Sequence, residues 1–141
     1  MKNDIYPCLW FNGNAHAAAA FYCSIFKNSG IITDNGMVVT FALNGKKFMG
    51  LNGGPQFTFN EAVSFVIDCD TQEEIDYYWD KLTRDGGEES NCGWLKDKFG
   101  VSWQVVPAVL PKLLGDPAKA PKVMEAFMKM KKFDIEVLLN A

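Results

Sequence analysis

The stretch CGWLKDKFGVSWQVVP, residues 92–107, decides the fold because it encodes a β-hairpin. Its two β-prone runs, GWLKD and VSWQVV, flank the turn sequence DKFG. A second hairpin signal lies upstream, where Asn44 and Gly45 separate MVVTFAL from KKFMGL. Asn followed by Gly between two β-prone runs is the strongest short-range hairpin signal. We therefore predict one hairpin over residues 37–51 and another within residues 92–107.

The first predicted hairpin is preceded by a strand and a helix. IYPCLWF is typical of a strand, and residues 12–14 supply polar helix-capping residues before AHAAAAFYCSIF. Ala17, Phe21 and Ile25 then fall at helical spacing and predict the apolar side of that helix.

The same order recurs in the second half of the chain. VSFVIDC is typical of a strand, and Thr71 with Glu74 has the spacing of a helix-capping box. Ile75, Tyr78 and Leu82 predict the apolar stripe of the following helix. A shift of about 55 or 56 residues aligns GKKFMGL with GVSWQVV, which indicates a weak internal repeat. Short β segments near SGIITD and GEES would complete a βαβββ module in each half.

The predicted fold class is α+β, with two βαβββ modules that form a curved, cup-like mixed sheet with flanking helices. We expect residues 1–141 to form a single domain, because no linker rich in Pro, Ser or Gly separates the modules. Module one spans about residues 1–55, module two about 60–107, and a C-terminal helical tail about 108–141.

The predicted tail carries a methionine-rich helical face. Met124, Phe127 and Met128 share this face, and prolines punctuate the segment before it. Such a face can serve as an adaptable docking surface. We favour packing against the sheet or against a partner subunit.

Composition excludes several classes of protein. An apolar content of 48% with 22% charged residues is typical of a globular domain, and the net charge of −3 argues against a nucleic-acid partner. We expect a cytoplasmic protein with no membrane partner, because the sequence has no long apolar run and no leader pattern after Met1. The four cysteines contain no CxxC pair, which favours free thiols in a reducing compartment.

Four stretches of the chain carry a family resemblance: residues 92–107, 51–82, 9–22 and 128–138. The sequence resembles the PhnB-like proteins, labelled "3-demethylubiquinone-9 3-methyltransferase domain", within the vicinal oxygen chelate superfamily. That superfamily contains glyoxalase I, bleomycin-resistance proteins and extradiol dioxygenases. The resemblance implies a homodimer, and a cup that in the enzymes of the superfamily holds one divalent metal.

The positions that match the metal ligands of the superfamily carry no His, Asp or Glu in this chain. By motif, those positions are Tyr6 or Cys8 on the first strand, Phe48 or Met49 in the first hairpin, Ser64 on the first strand of module two, and Gln104 in the second hairpin. Such side chains are weak or neutral donors for a divalent ion. We therefore expect no metal and no cofactor, and we interpret the one histidine, His16, as an exposed helix residue.

Aromatic side chains are expected to line the cup instead. Trp10 shares strand parity with Tyr6 and Cys8, and Trp94 shares it with Gln104. The predicted ligand-binding residues are Tyr6, Cys8, Trp10, Met49, Ser64, Trp94 and Gln104. The predicted partner is an unidentified small molecule, apolar or aromatic in character, and no catalytic residue is assigned.

Three functional hypotheses follow from these positions. The first is a metal-independent small-molecule binding protein. The second is an enzyme of lyase, isomerase or oxygenase type that uses Tyr6 or Cys8, or less readily a divalent metal. The third is a packed cup whose surrounding surface contacts a partner. The chain lacks a G-x-G-x-x-G turn, so we expect the methyltransferase label to be inherited rather than biochemical.

Overall fold

The computed structural model describes residues 3–141. The chain divides into two compact units: the first ends at Phe59 and the second runs from Asn60 to Ala141. Each unit contains one βαβββ module, and the second also contains the C-terminal helices. The predicted α+β class with two such modules is confirmed. Hydrogen bonds join strands only within a module among these residues, so the strands form two four-stranded mixed sheets.

The first unit contains one helix and four strands: β1 (Cys8–Phe11), α1 (Ala15–Ile25), β2 (Gly30–Asp34), β3 (Val38–Leu43) and β4 (Lys46–Asn52). Their order in the sheet, which we call sheet 1, is β1-β4-β3-β2. Strand β1 runs parallel to β4, and the other pairs are antiparallel.

The predicted hairpin over residues 37–51 corresponds to β3 and β4. Asn44 and Gly45 form the turn, with φ angles of 50° and 78°. Two consecutive residues with positive φ match the twist of the flanking strands, and Asn and Gly tolerate this conformation best. Local turn chemistry therefore sets the register, with Leu43 opposite Lys46.

The buried side of α1 differs in part from the predicted stripe. Ile25 is buried as predicted, but Ala17 is exposed and Phe21 is only half-buried. The remaining fully buried positions are Ala15, Ala18, Ala19 and Tyr22. The sequence specifies only weakly which side of this alanine-rich helix is buried, because small apolar residues occur on every side of it.

The start of α1 is stabilised from a distant strand. Asn14 occupies the N-cap position, but its side chain makes no capping hydrogen bond. Asn52 at the end of β4 replaces it, since its Oδ1 accepts a hydrogen bond from the backbone N–H of Ala15 at 2.9 Å. The helix is therefore tied to the last strand of its own module.

The second unit repeats the pattern and adds a tail: β5 (Ser64–Cys69), α2 (Gln72–Thr83), β6 (Glu88–Glu89), β7 (Trp94–Lys96), β8 (Ser102–Pro107), α3 (Leu110–Leu114), α4 (Ala120–Phe127) and α5 (Ile135–Leu139). A short 3₁₀ turn, Arg84–Gly86, follows α2. The strand order of this sheet, which we call sheet 2, is β5-β8-β7-β6, with β5 parallel to β8.

The predicted capping box of α2 is confirmed. Thr71 Oγ1 accepts a hydrogen bond from the backbone N–H of Glu74, and the Glu74 carboxylate accepts one from the N–H of Thr71. Ile75 and Leu82 are fully buried, whereas Tyr78 is half-buried. The most deeply buried aromatic residue of this helix is Trp79 instead.

The tail is fixed to sheet 2 through Gly93. The backbone N–H of Gly93 donates to the carbonyl of Lys131 at 2.8 Å. Gly93 has a φ of 83°, and a Cβ there would lie 2.3 Å from the ring of Phe133. Only glycine fits this approach. Met124 and Met128 of the predicted methionine face are 49% and 63% exposed, so neither is buried in the core of the second unit.

Candidate functional site

Each sheet has one face against its helix and a second face opposite it, which we call the far face. In sheet 1, the ring of Tyr22 from α1 stacks on Phe41 with centroids 6.3 Å apart, and Phe41 stacks on Phe48 of the next strand. Phe48 therefore faces the helix. Successive side chains of a strand alternate between faces, so Met49 lies on the far face.

Strand pairing gives the register of the first strand, which the sequence left open. In sheet 1, Cys8 is the ladder partner of Met49. In sheet 2, Val66 is the ladder partner of Gln104. Tyr6 precedes Cys8 by two residues, as Ser64 precedes Val66. By this pairing Tyr6, rather than Cys8, occupies the position equivalent to Ser64, although parity places both Tyr6 and Cys8 on the far face.

The four predicted site residues of the first unit share the far face of sheet 1. The ammonium of Lys47 lies 4.1 Å from the ring centroid of Tyr6. Cys8 is exposed, and the partial burial of its thiol raises the pKa. Trp10 is half-buried and donates from Nε1 to the carbonyl of Gly54 at 2.9 Å. Its ring and that of Phe57 form a T-shaped pair, with centroids 4.9 Å apart.

The three predicted site residues of the second unit share the far face of sheet 2. Gln104 Nε2 donates a hydrogen bond to Ser64 Oγ at 3.0 Å, across the parallel pair β5 and β8. Trp94 on β7 is the direct antiparallel partner of Gln104 and is half-buried. Trp103 has the opposite parity and is 3% exposed, so it belongs to the core rather than to this face.

Two further residues of this face were missed by the sequence analysis. Lys96 and Ser102 are direct ladder partners, two positions from Trp94 and Gln104 respectively. Lys96 Nζ lies 3.1 Å from the Glu61 carboxylate. Ser102 is 2% exposed, and its hydroxyl has no hydrogen-bond partner within the described part of the chain. The same strand parity that selected Trp94 and Gln104 would have identified both.

The histidine and the Asp68–Cys69 pair considered in the sequence are not among the seven predicted site residues. His16 is exposed on α1, as predicted, and its Nδ1 lies 2.6 Å from Asp34 Oδ2. Asp68 and Cys69 have opposite strand parity, with Cys69 buried and Asp68 exposed. Burial first, and then the nearby carboxylates of Glu74, Asp68 and Asp70, raise the pKa of Cys69 to about 12. This environment favours an inert thiol over an acid/base pair.

A separate cleft lies among the C-terminal helices. It has a volume of about 870 Å³ and contains none of the predicted site residues. Its charged lining residues carry both signs: Lys122, Glu125, Lys129, Asp134 and Glu136. The far-face residues are the better candidates for a specific site, because they combine aromatic area with a few placed polar groups.

The side chains at the far-face positions do not fit a divalent metal. Zinc and the other divalent transition metals are held mainly by imidazole nitrogen, thiolate sulfur or carboxylate oxygen. The positions carry a phenol, a thioether, a hydroxyl and an amide, and the raised pKa of Cys8 disfavours its thiolate. Over residues 3–141, no three His, Cys, Asp or Glu side chains form a group that could bind an ion.

None of the helices described for this chain is long and apolar enough to cross a lipid bilayer.

A family model and one solved structure identify the same family. The family model of 3-demethylubiquinone-9 3-methyltransferase matches residues 3–106. A solved structure from Bacillus cereus, described as a 3-demethylubiquinone-9 3-methyltransferase and PhnB protein, is 35% identical with a TM-score of 0.68. The match covers 75% of this chain and all of that one.

More distant structures share the fold. The fosfomycin resistance protein FosX from Listeria monocytogenes, solved with Mn(II) and sulfate, is 15% identical with a TM-score of 0.61, covering 82% of this chain and 97% of its own. A glyoxalase-related enzyme from Fulvimarina pelagi is 14% identical with a TM-score of 0.56, covering 76% and 88%. No curated protein matches significantly. The chain thus belongs to the PhnB-like 3-demethylubiquinone-9 3-methyltransferase family, which has the glyoxalase-like fold.

Proposed function

We propose that this protein is a metal-independent small-molecule binding protein that uses the far faces of its sheets. The observation that carries the proposal is the hydrogen bond from Gln104 to Ser64, 3.0 Å long, beside Trp94. This neutral amide–hydroxyl pair lies at the positions that, by the family resemblance, match metal ligands of the superfamily's enzymes. Placed polar groups beside aromatic area are typical of small-molecule sites.

The proposed contacts in the second unit are Ser64, Trp94 and Gln104. Those in the first unit are Tyr6, Cys8, Trp10 and Met49. Related folds support this use, because one neighbour is described as a fosfomycin resistance protein and another as a glyoxalase/bleomycin resistance protein. We extend the proposal to a single functional domain over residues 1–141 that acts as a cytoplasmic homodimer. A dimer is the commonest assembly of soluble oligomers.

An enzyme of lyase, isomerase or oxygenase type is the alternative. It would need an activated group on a far face, and Cys8 is the available thiol. A nucleophilic cysteine normally has a lowered pKa. The pKa of Cys8 is raised by burial, which disfavours that role. Methyl transfer is not favoured either, because the chain has no Gly-rich turn between a strand and a helix of the kind that binds a nucleotide cofactor.

Native mass spectrometry of freshly purified protein that has never met a chelator tests the proposal. We expect a dimer that carries a small organic adduct and no stoichiometric metal. Stoichiometric metal in the spectrum would overturn the metal-independent mechanism. A dimer with neither metal nor adduct, which also fails to bind a library of aromatic compounds, would favour the hypothesis of a packed face used for partner contact.

A further inference from the structure

The far face of sheet 2 presents two hydrogen-bond donors in addition to Ser64 and Gln104. Lys96 and Ser102 lie opposite each other on β7 and β8, and Ser102 is also the parallel partner of Ser64 on β5. Strand parity places all three side chains on the same face as Gln104 and Trp94. Neighbouring strands lie about 4.8 Å apart, so these polar groups form one patch. We call Lys96, Ser102, Ser64 and Gln104 the donor patch.

Three groups of the donor patch can still donate hydrogen bonds to a ligand. Ser64 Oγ already accepts from Gln104, so its own hydroxyl proton is directed elsewhere. The Ser102 hydroxyl is buried without a partner in the region that the structure describes. A buried donor without an acceptor costs free energy, and an acceptor supplied by a ligand would remove that cost. An ammonium group donates up to three hydrogen bonds and accepts none.

The ammonium of Lys96 already binds a carboxylate. Glu61 Oε2 lies 3.1 Å from Lys96 Nζ, and the Glu61 side chain is 65% exposed. The bond to Lys96 is the main cause of the lowered pKa of Glu61. An exposed pair of this type is weak, so a carboxylate from solution can compete for the lysine. Glu88 is the ladder partner of Lys96 on the other side, but it is exposed on the edge strand.

We infer that the ligand of the proposed site is an organic acid, whose anionic oxygens bind Lys96, Ser102 and Ser64 while its apolar or aromatic body lies against Trp94. This inference rests on the proposed function and narrows its ligand class. Three donors side by side on adjacent strands of one face favour an anionic oxygen group over a neutral body alone. The ligand displaces the Glu61 carboxylate, which holds the lysine in the free protein.

Two probes with the same ring system distinguish the contribution of the acid group to the affinity from that of the apolar body. Isothermal titration calorimetry on the full chain should compare 1-naphthoate with 1-naphthylmethanol. We expect 1-naphthoate to bind about tenfold or more tightly, because a charge-assisted hydrogen bond in a partly buried site is worth at least that factor. The preference should shrink at high salt.

Substitutions then test whether the donor patch causes the preference for 1-naphthoate over 1-naphthylmethanol. Lys96→Met should lower the affinity for 1-naphthoate much more than the affinity for 1-naphthylmethanol, so that the preference for the acid is lost. Lys132→Met is the matched control, because Lys132 forms a similar exposed ion pair with Asp76 at 2.7 Å outside the patch. It should change neither affinity. Glu61→Gln should tighten 1-naphthoate binding several-fold, since it frees the lysine.

Ser102→Ala provides a readout that a purely structural role would not give. Removal of an unpartnered buried hydroxyl should leave the melting temperature unchanged or higher, while 1-naphthoate binding weakens. A lower melting temperature with unchanged binding would show that the hydroxyl is structural and would overturn its part in the patch.

The remaining outcomes separate this inference from the proposed function. Equal affinities for both probes would overturn the acid ligand. A preference that survives in Lys96→Met would overturn the binding of the acid by the donor patch. The binding function stands in either case. Failure of both probes to bind would also overturn the inference. In that case a neutral adduct in the native mass spectrum would still support the proposed binding function, and the absence of any adduct would contradict it.

Discussion

The carboxylate of Asp97 accepts a hydrogen bond from the indole Nε1 of Trp103 at 2.8 Å, inside the β7–β8 hairpin. Its second oxygen accepts from the backbone N–H groups of Phe99 and Val101, at 2.8 and 3.1 Å. Asp97 and Trp103 are 2% and 3% exposed. One buried carboxylate therefore closes the turn and also fixes the core side of β8, so that Gln104 projects from the far face.

Substitution Asp97→Asn should lower the free energy of unfolding by about 2 kcal/mol. An amide has one acceptor oxygen, so its NH₂ group must face at least one of the three N–H donors that the carboxylate satisfies. Urea unfolding followed by tryptophan fluorescence measures the change.

The matched control is Asp116→Asn, because Asp116 Oδ1 accepts from Ala118 N–H in an exposed turn that asparagine can also form. It should change stability by less than about 0.5 kcal/mol. Equal effects of the two substitutions would mean that the Asp97 network does not hold the hairpin.

Substitution Gln104→Ala should weaken ligand binding while the melting temperature stays nearly unchanged. The side chain is half-buried, and its hydrogen bond to Ser64 is only partly shielded from water, so its net contribution to stability is about 1 kcal/mol or less. Calorimetry with the co-purified molecule and thermal unfolding give the two readouts. Gln56→Ala, at an exposed residue, serves as the control. A large loss of stability with intact binding would contradict the proposed site.

Local sequence chemistry predicted the parts of the fold that depend on a few neighbouring residues. The Asn44–Gly45 turn and the Thr71 capping box are confirmed because each motif satisfies its own backbone groups. The capping of α1 could not be predicted in this way. Its partner, Asn52, lies 37 positions beyond Ala15, so that contact exists only after the sheet has formed.

In the candidate site, too, the sequence predicted what depends on neighbouring residues and not what depends on pairing between distant strands. Strand parity and the pairing across the β7–β8 hairpin were enough to place Trp94 and Gln104 on one face. The position of the first strand depended instead on a gap before α1 that has no local signal. Pairing of Cys8 with Met49 supplies the register, and it makes Tyr6 the equivalent of Ser64. Lys96 was overlooked because a lone lysine in a strand is ordinarily interpreted as solvent-exposed.

We expect that Cys8 is not unusually reactive toward alkylation. Cys8 is exposed, but burial of its thiol raises the pKa, so less thiolate is present at neutral pH than in a free cysteine. Its alkylation by iodoacetamide should be slower than that of a model peptide and should accelerate as pH rises. Mass spectrometry of tryptic peptides over time measures each cysteine separately. Fast alkylation of Cys8 below neutral pH would instead favour the enzyme hypothesis.

Cys69 should make the protein less stable at alkaline pH. Burial is the main cause that raises its pKa from 9.0 to about 12 in the folded protein. Between these two values the unfolded chain loses the thiol proton and the folded protein keeps it. The unfolded state then binds fewer protons, so the free energy of unfolding falls as pH rises, by up to about 1.4 kcal/mol per pH unit.

Urea unfolding between about pH 8 and pH 10 tests this sign, with Cys69→Ala as the informative variant. Loss of the thiol should flatten the decline, because alanine cannot ionise in either state. Cys23→Ala is the control, since that thiol is only half-buried and the variant should keep most of the decline. An identical pH dependence in wild type and Cys69→Ala would show that water reaches the Cys69 sulfur and that α2 packs less tightly on β5 than its buried side chains indicate.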